Sequence, residues 1–142
     1  MKLKNLKSLF RLKLRHPQGR ENMELISHDG VHYLDYLQGL SAAMNAQRYL
    51  EIGTSSGASL ARINCTSVAI DPAFKITMPV TGTKPACHFY QMTSDDYFEL
   101  HDPKPVLGGS IDLAFLDGMH RYEFLLRDFI NTEKHSARNS II

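Results

Sequence analysis

The chain has 142 residues, 43% of them hydrophobic and 22% charged, which fits one globular domain with a real core and excludes disordered and collagen-like classes. Its net charge of +1 hides an asymmetry, because residues 1–20 hold seven Lys or Arg and no acid. The remaining body has nine basic and fifteen acidic residues, about −6 by this count, so no nucleic-acid partner is indicated.

The cysteines and the apolar runs indicate a cellular compartment. Cys65 and Cys87 have neither metal-ligand spacing nor the number that a disulfide framework needs, so we interpret them as reduced, structural thiols. No apolar run approaches the roughly 18 residues of a transmembrane helix. The basic N-terminus also lacks the uninterrupted apolar core of a signal peptide. We therefore expect a cytoplasmic protein.

Residues 1–16 predict a basic amphipathic helix, because leucines and a phenylalanine recur near one helical face among lysines and arginines. Such a helix either packs on the domain or a partner, or makes weak contact with an anionic membrane surface. Pro17-Gln18-Gly19 ends it. We therefore divide the chain into an N-terminal segment over residues 1–19 and a domain over residues 20–142.

A second helix is predicted over Gly30–Ala46, where apolar residues recur at helical spacing. Its apolar side can cover a sheet, so its role is structural. The stripe consists of Val31, Leu34, Leu37, Leu40 and Met44.

The stretch Arg48–Pro72 organises the chain, because it has the pattern of a strand, a glycine turn, a helix and a second strand. Gly53 and Gly57 bracket a turn of small residues, and the apolar residues of 58–63 predict the helix. Ser67–Ile70 is the second strand. It ends at Asp71, twenty residues after Glu51, where the acid of a nucleotide-binding fold reaches the ribose hydroxyls.

The spacing of this turn separates two nucleotide ligands. A dinucleotide site has G-x-G-x-x-G, whereas this turn is Glu51-x-Gly53-x-x-x-Gly57. A carboxylate immediately before the turn repels a pyrophosphate and suits a ligand with sulfonium and ammonium groups. The pattern therefore favours S-adenosylmethionine over NAD, although the position of Asp71 permits a nicotinamide-dependent oxidoreductase.

A long loop over residues 75–86 and a third strand follow. Phe74 either lies against an adenine or caps the core. His88–Gln91 has strand composition, and the next helix is anchored by Tyr97, Phe98 and Leu100. Thr93 or Ser94 can cap that helix, with acids in its first turn.

Ile111–Leu116 is a fourth strand, which delivers Asp117-Gly118-Met119-His120 to the sheet edge where open α/β folds place ligand chemistry. A helix over Tyr122–His135 follows, and the run from Asn139 begins a fifth strand. We expect Phe124, Leu125, Phe129 and Ile130 to pack inward.

The first motif and the run IDLAFLDGMHRYEFLLRDF together resemble class I S-adenosylmethionine-dependent methyltransferases. The second run is similar to a subgroup of sugar or antibiotic O-methyltransferases that includes proteins labelled cephalosporin hydroxylases. The resemblance spans about Arg48–Ile142 and implies a Rossmann-like, doubly wound parallel sheet in the order 3-2-1-4-5, preceded by helices. A full family domain has seven strands, so we expect the cofactor half only.

The resemblance also implies the site. The turn after the third strand contacts adenine in the family, with Asp95 accepting from the exocyclic amine. His120 is the candidate catalytic base, because histidine accepts protons near neutral pH, and Asp117 is the residue that orients it or holds a metal. The implied cofactor-binding residues are Glu51, Gly53, Thr54, Ser55, Gly57, Asp71, Pro72, Thr93, Ser94 and Asp95.

Two matters of chemistry stay open. Similar metal-dependent O-methyltransferases bind magnesium through an acid after the fourth strand, matched by Asp117, and an acidic pair past the fifth, whose positions lie beyond Ile142. The chain either methylates an oxygen of a small molecule or sugar, or is a truncated form that binds cofactor or a partner without turnover. An unfinished sheet edge also favours a homo-oligomer.

Overall fold

Five parallel strands form one sheet in the computed structural model, which describes residues 30–142. The predicted basic helix over residues 1–16 and its end at Pro17–Gly19 lie outside this range. The helices and strands, in chain order, are α1 (Tyr33–Ala43), β1 (Arg48–Ile52), β2 (Thr66–Ile70), β3 (Cys87–Tyr90), α2 (Ser94–Leu100), α3 (Pro103–Leu107), β4 (Ile111–Leu116), α4 (Tyr122–Glu133) and β5 (Ser136–Ile141).

The strand order is β3-β2-β1-β4-β5, which confirms the predicted Rossmann-like sheet. β1 lies at its centre and pairs with β2 and β4 in unbroken register. The pairing of β4 with β5 contains a register shift between Ile111 and Leu113. All the carboxyl ends therefore meet at one edge, where the loops after β1, β2, β3 and β4 come together.

The core lies on both faces of the sheet, because successive residues of a strand point to opposite sides. Tyr49 packs under α1 with Leu37, while Leu50 and Ile52 pack under α2 and α3 with Tyr97 and Leu107. Each strand of the centre is consequently buried on both sides, as expected for a parallel sheet. Among residues 30–142, no helix has the length and hydrophobicity that crossing a bilayer requires.

The predicted helix over residues 58–63 was wrong. This stretch contains a single 3₁₀ turn, Leu60–Arg62, held by bonds such as Arg62 N–H to Ser59 O at 3.0 Å. Gly57 has a φ of +86°, which no right-handed helix includes, and β2 begins at Thr66. Between these two points the chain forms only this one turn. No helix dipole therefore points from here at the cavity described below.

The inward packing that we predicted for the last helix holds for Phe124, which is half-buried, and was wrong for the other three residues. Leu125, Phe129 and Ile130 are 44–46% exposed, whereas α4 buries Asp128 and Thr132. Val31 is exposed as well and precedes α1. Phe74 packs on the core and meets Phe89 edge to face with 5.6 Å between ring centroids, so the core-capping alternative holds.

The helix α3 was not predicted, although its sequence carries ordinary end signals. The Asp102 side chain caps its N-terminus by accepting from Lys104 N–H at 2.9 Å, Pro103 occupies its first position, and Gly108 ends it with a φ of +74°. These are the residues that favour a helix start and stop. Its shortness, five residues, concealed it from a search for helical periodicity.

An ion pair joins β1 to β4 at the sheet edge opposite the cavity. The Arg48 guanidinium donates to both Asp112 oxygens at 2.9 and 3.1 Å, and the Gln47 and Arg48 amides donate to Oδ2 at 3.0 and 3.1 Å. Burial acts to raise the pKa of Asp112, but these hydrogen bonds lower it overall. The carboxylate is therefore stabilised by folding.

We expect Asp112→Asn to lower the free energy of unfolding by about 1–2 kcal/mol, because charged hydrogen bonds are lost in a half-exposed setting. The difference from wild type should be full above the unfolded-state pKa of about 3.9 and shrink as pH falls through the lower folded-state pKa. Urea unfolding at several pH values measures it. Asp35→Asn, at a more exposed Arg–Asp pair of 3.4 Å, is the control, and an equal loss in both variants would contradict the prediction.

Candidate functional site

A cavity of ≈ 550 Å³ opens at the carboxyl edge of the sheet, a size typical of small-molecule sites. Residues that directly follow each of four parallel strands line it, together with two side chains of α4. These are Ile52, Gly53 and Ser55 after or at the end of β1; Ile70, Asp71 and Pro72 at β2; Thr93, Ser94 and Asp95 after β3; Asp117, Gly118, Met119 and His120 after β4; and Phe124 and Asp128 of α4.

The turn after β1 has a shape that only glycine permits at its first position. Gly53 has a φ of +86°, and a Cβ atom there would overlap the Asp117 carbonyl group and the Gly118 amide nitrogen. The loops after β1 and β4 thus touch backbone to backbone. The strand ladder carries on to this point, since Asp117 N–H donates to Ile52 O at 2.8 Å and Gly53 N–H to Ile70 O at 2.8 Å.

Asp71 ties the turn to the end of β2. Its Oδ2 accepts from Ser55 N–H and its Oδ1 from Ala73 N–H, both at 2.7 Å. Ser55 has a φ of +45°, an unusual backbone conformation for a non-glycine residue, which this bond helps to hold. Each carboxylate oxygen has a further lone pair, so Asp71 can also accept from a ligand's hydroxyl groups.

Three predicted cofactor residues do not line the cavity. Glu51 is fully buried beneath the turn, where its Oε2 accepts from the Tyr49 hydroxyl at 2.6 Å. Burial raises the pKa of Glu51, and the hydrogen bond from Tyr49 lowers it only in part. Thr54 is also buried, and Gly57 packs so closely on the loop after β2 that a Cβ atom would meet Val80 Cγ1 at 2.5 Å. These residues shape the turn from behind.

The three residues after β3 line the cavity together, and each has a partner in the protein. Thr93 caps α2, accepting from Asp96 N–H at 3.1 Å. Ser94 Oγ donates to Asp128 Oδ1 at 2.5 Å, and Asp95 accepts from Arg127 Nε and Nη2 at 3.1 and 2.8 Å. The capping that we predicted is thus present. Two neighbouring residues of α4 fix the beginning of α2.

Asp117 and His120 stand beside each other at the cavity opening. Nε2 of His120 lies 3.4 Å from Oδ1 of Asp117, and the histidine side chain is 83% exposed. A solvent-exposed imidazole beside a carboxylate can take a proton from an incoming hydroxyl group while the carboxylate stabilises the resulting cation. This arrangement suits a general base at the entrance.

The same two residues do not complete a magnesium site. Magnesium requires near-octahedral oxygen coordination, and residues 30–142 contain no group of three or more His, Cys, Asp or Glu side chains arranged to hold a metal ion. Within that range Asp117 lacks the further acids that a site needs. We therefore derive no catalytic step through a metal.

The lining is strongly acidic. Four carboxylates, those of Asp71, Asp95, Asp117 and Asp128, face the cavity, and no lysine or arginine of the described residues lines it. Arg127 neutralises Asp95 from outside. Such a cavity attracts a cationic ligand and repels a pyrophosphate. The charge preference that we assigned to Glu51 is thus carried by other acids.

Sequence reasoning did not identify Asp128 or Phe124 as site residues. Asp128 and Arg127 stand between apolar residues in the stretch Phe124–Ile130 of α4, and charged residues that break an apolar pattern are a signal of a functional site. We assigned only apolar residues to the inward face of this helix, although Asp128 lies on the same face as Phe124, four residues earlier.

A family model described as "Methyltransferase domain" matches residues 50–142. This match covers well over half of the chain and includes every cavity-lining residue. A search of curated proteins found no match.

We expect Gly53→Ala to weaken binding of any ligand in the cavity at least tenfold and to destabilise the fold by more than about 2 kcal/mol, because the Cβ atom must displace the β4 loop. Gly108→Ala is the matched control, since Gly108 has a φ of +74° and open space around its Cβ position. It should lose only the roughly 1–2 kcal/mol of a left-handed residue. Thermal unfolding compares them, and equal losses would contradict a steric role for Gly53.

Glu51 should make stability depend on pH in a predictable direction. Because its pKa is raised in the folded state, wild type gains over Glu51→Gln below the unfolded-state pKa of about 4.3 and loses this gain as pH rises through the raised pKa. Melting temperatures of both proteins between pH 4 and 8 measure the difference, with Glu99→Gln at an exposed site as control. A difference that is constant over this range would argue against a raised pKa.

Proposed function

This chain belongs to the methyltransferase domain family, and from that premise we propose that it binds S-adenosylmethionine in the ≈ 550 Å³ cavity and methylates an oxygen atom of a small molecule or sugar. The acidic lining is the observation that carries the proposal. S-adenosylmethionine has a sulfonium and an ammonium group, whereas NAD has a pyrophosphate. A cavity lined by four carboxylates, of which Asp95 alone is paired with an arginine in the described residues, favours the first by simple electrostatics.

The residues of the cavity fit the parts of this cofactor. Asp71 is the acceptor for the two ribose hydroxyls, as expected of an acid at the end of β2, and Pro72 lies beside it. The close turn at Gly53 and Ser55 leaves room for the amino-acid end. Thr93, Ser94 and Asp95 lie at the adenine end, on the far side of Asp71 from the turn.

When bound, S-adenosylmethionine supplies an electrophilic methyl carbon attached to a positively charged sulfur. The protein's own part is to align an acceptor hydroxyl and to take its proton. His120 accepts that proton at Nδ1, and Asp117, whose Oδ1 lies 3.4 Å from the other ring nitrogen, Nε2, stabilises the imidazolium that results. The new carbon–oxygen bond replaces the carbon–sulfur bond, and the proton leaves through the exposed histidine.

A second candidate function is binding without turnover. The side of α4 beside the sheet is exposed and apolar, and Leu125, Leu126 and Phe129 line a groove of ≈ 490 Å³ with Leu116 and Ile142. No part of residues 30–142 covers this groove, and an exposed apolar surface of this kind is typical of a binding site. This favours a chain that binds cofactor or a partner without methyl transfer.

Calorimetric titration with S-adenosylhomocysteine and, separately, with NAD tests the proposal. We expect S-adenosylhomocysteine to bind, NAD to bind at least about a hundredfold more weakly, and Asp71→Asn to weaken the first by roughly ten- to a hundredfold, because a charged hydrogen-bond acceptor is lost. Asp35→Asn, outside the cavity, is the control. A folded chain that does not bind S-adenosylhomocysteine, or that prefers NAD, would overturn the proposal.

Turnover is measured on the same preparation with labelled S-adenosylmethionine and a panel of sugars and phenols. Labelled product that disappears in His120→Ala supports methyl transfer with this base. Tight cofactor binding with no labelled product from any acceptor of the panel would support the second function.

A further inference from the structure

The helix α4 is built against the usual amphipathic rule. It exposes Leu125, Phe129 and Ile130 and buries the carboxylate of Asp128, which is only 4% exposed. Burying an ionisable acid is costly unless it is paired, and burial raises the pKa of Asp128. Residues that break the usual burial pattern in this way are expected at functional sites.

The predicted adenine acceptor, Asp95, is already engaged. Both of its oxygens accept from the Arg127 guanidinium, at 3.1 and 2.8 Å, in a two-point ion pair. Its side chain is 45% exposed, so water also competes for its remaining lone pairs. An acid in this state discriminates weakly between ligands.

Asp128, in contrast to Asp95, is buried and has no arginine partner among residues 30–142. Its Oδ1 accepts from Ser94 Oγ at 2.5 Å, and Ser94 is the one hydrogen-bond partner of this carboxylate among residues 30–142. A Cβ atom built on Gly118 would lie 3.5 Å from Oδ2, so the free oxygen lies against the cavity wall formed by the β4 loop. Gly118 and Asp128 both line the cavity, so a ligand there can reach this oxygen past a residue that has no side chain.

We propose that Asp128 is the residue that recognises the adenine of the cofactor, with its free Oδ2 accepting a hydrogen bond from the exocyclic amine. Ser94 orients the carboxylate for this purpose, and the Arg127–Asp95 pair next to it anchors α4 to α2. A buried acceptor with a fixed partner rejects a ligand that presents an oxygen in place of the amine, because two acceptors then face each other in a desolvated site. The inference rests on the proposed cofactor.

The test is a comparison of two ligands that differ at this one group, S-adenosylhomocysteine and S-inosylhomocysteine, which has a carbonyl oxygen in place of the amine. We expect wild type to prefer the adenosyl ligand at least about tenfold. In Asp128→Asn the amide can donate to the carbonyl, so the preference should fall to within about threefold of unity. Asp95→Asn should keep the wild-type preference, whatever common factor it takes from both affinities.

Each outcome is decisive. Wild-type binding of S-adenosylhomocysteine without preference, or an unchanged preference in Asp128→Asn, overturns this inference and leaves the proposed function intact. Loss of preference in Asp95→Asn assigns the amine to Asp95 instead. A folded wild type that binds neither ligand overturns the proposed function as well. If Asp128→Asn does not fold, a preference retained in both Asp95→Asn and Asp117→Asn supports Asp128, and its loss in either variant contradicts it.

Discussion

The close approach of two backbone segments, the turn at Gly53 and the loop at Asp117–Gly118, is the constraint on which the site depends. The central strand and its neighbour must end at the same height for these segments to meet, and their unbroken pairing over four residue pairs ensures that they do. A side chain at Gly53 would separate them. If they were separated, Asp71 after β2 and the pair Asp117 and His120 after β4 would no longer line one cavity.

Acidic residues have two different tasks in this structure. Glu51 and Asp112 stabilise the fold. Glu51 accepts a hydrogen bond from the Tyr49 hydroxyl under the turn, and Asp112 on β4 pairs with Arg48 on β1. Asp71 combines both tasks, because it braces the Ser55 amide and still faces the cavity. The motif E-x-G-x-x-x-G therefore encodes the shape of the turn through its acid, while the electrostatic character of the cavity comes from acids further along the chain.

The sequence predicted the sheet well, because the two signals it depends on are local. A buried parallel strand is a short apolar run, and the turns that follow need glycine or acids at fixed positions, so β1, β2 and β4 and their ends could be assigned. Helix content was harder to predict. The residues of 58–63 have helical spacing, yet they form only one 3₁₀ turn after the left-handed Gly57, and α3 is too short to show a period. The orientation of α4 depends on which face the sheet leaves open, which no local pattern records, and Asp128 was missed for that reason.

The irregular pairing of β5 has a consequence for the order in which the molecule opens. β1 has a partner on each side, whereas within residues 30–142 β5 pairs with β4 alone, through a register shift. Its Ser140 hydroxyl donates to Ile111 O and Ala137 O. The segment from α4 to β5 is thus the least secured part of the sheet, and amide hydrogens there should exchange through local opening while those of β1 wait for global unfolding. Because α4 supplies Asp128 and Phe124 to the cavity wall, a bound ligand holds this segment closed. Ligand binding in the cavity should therefore slow amide hydrogen exchange in the segment from α4 to β5, because binding and local opening are linked.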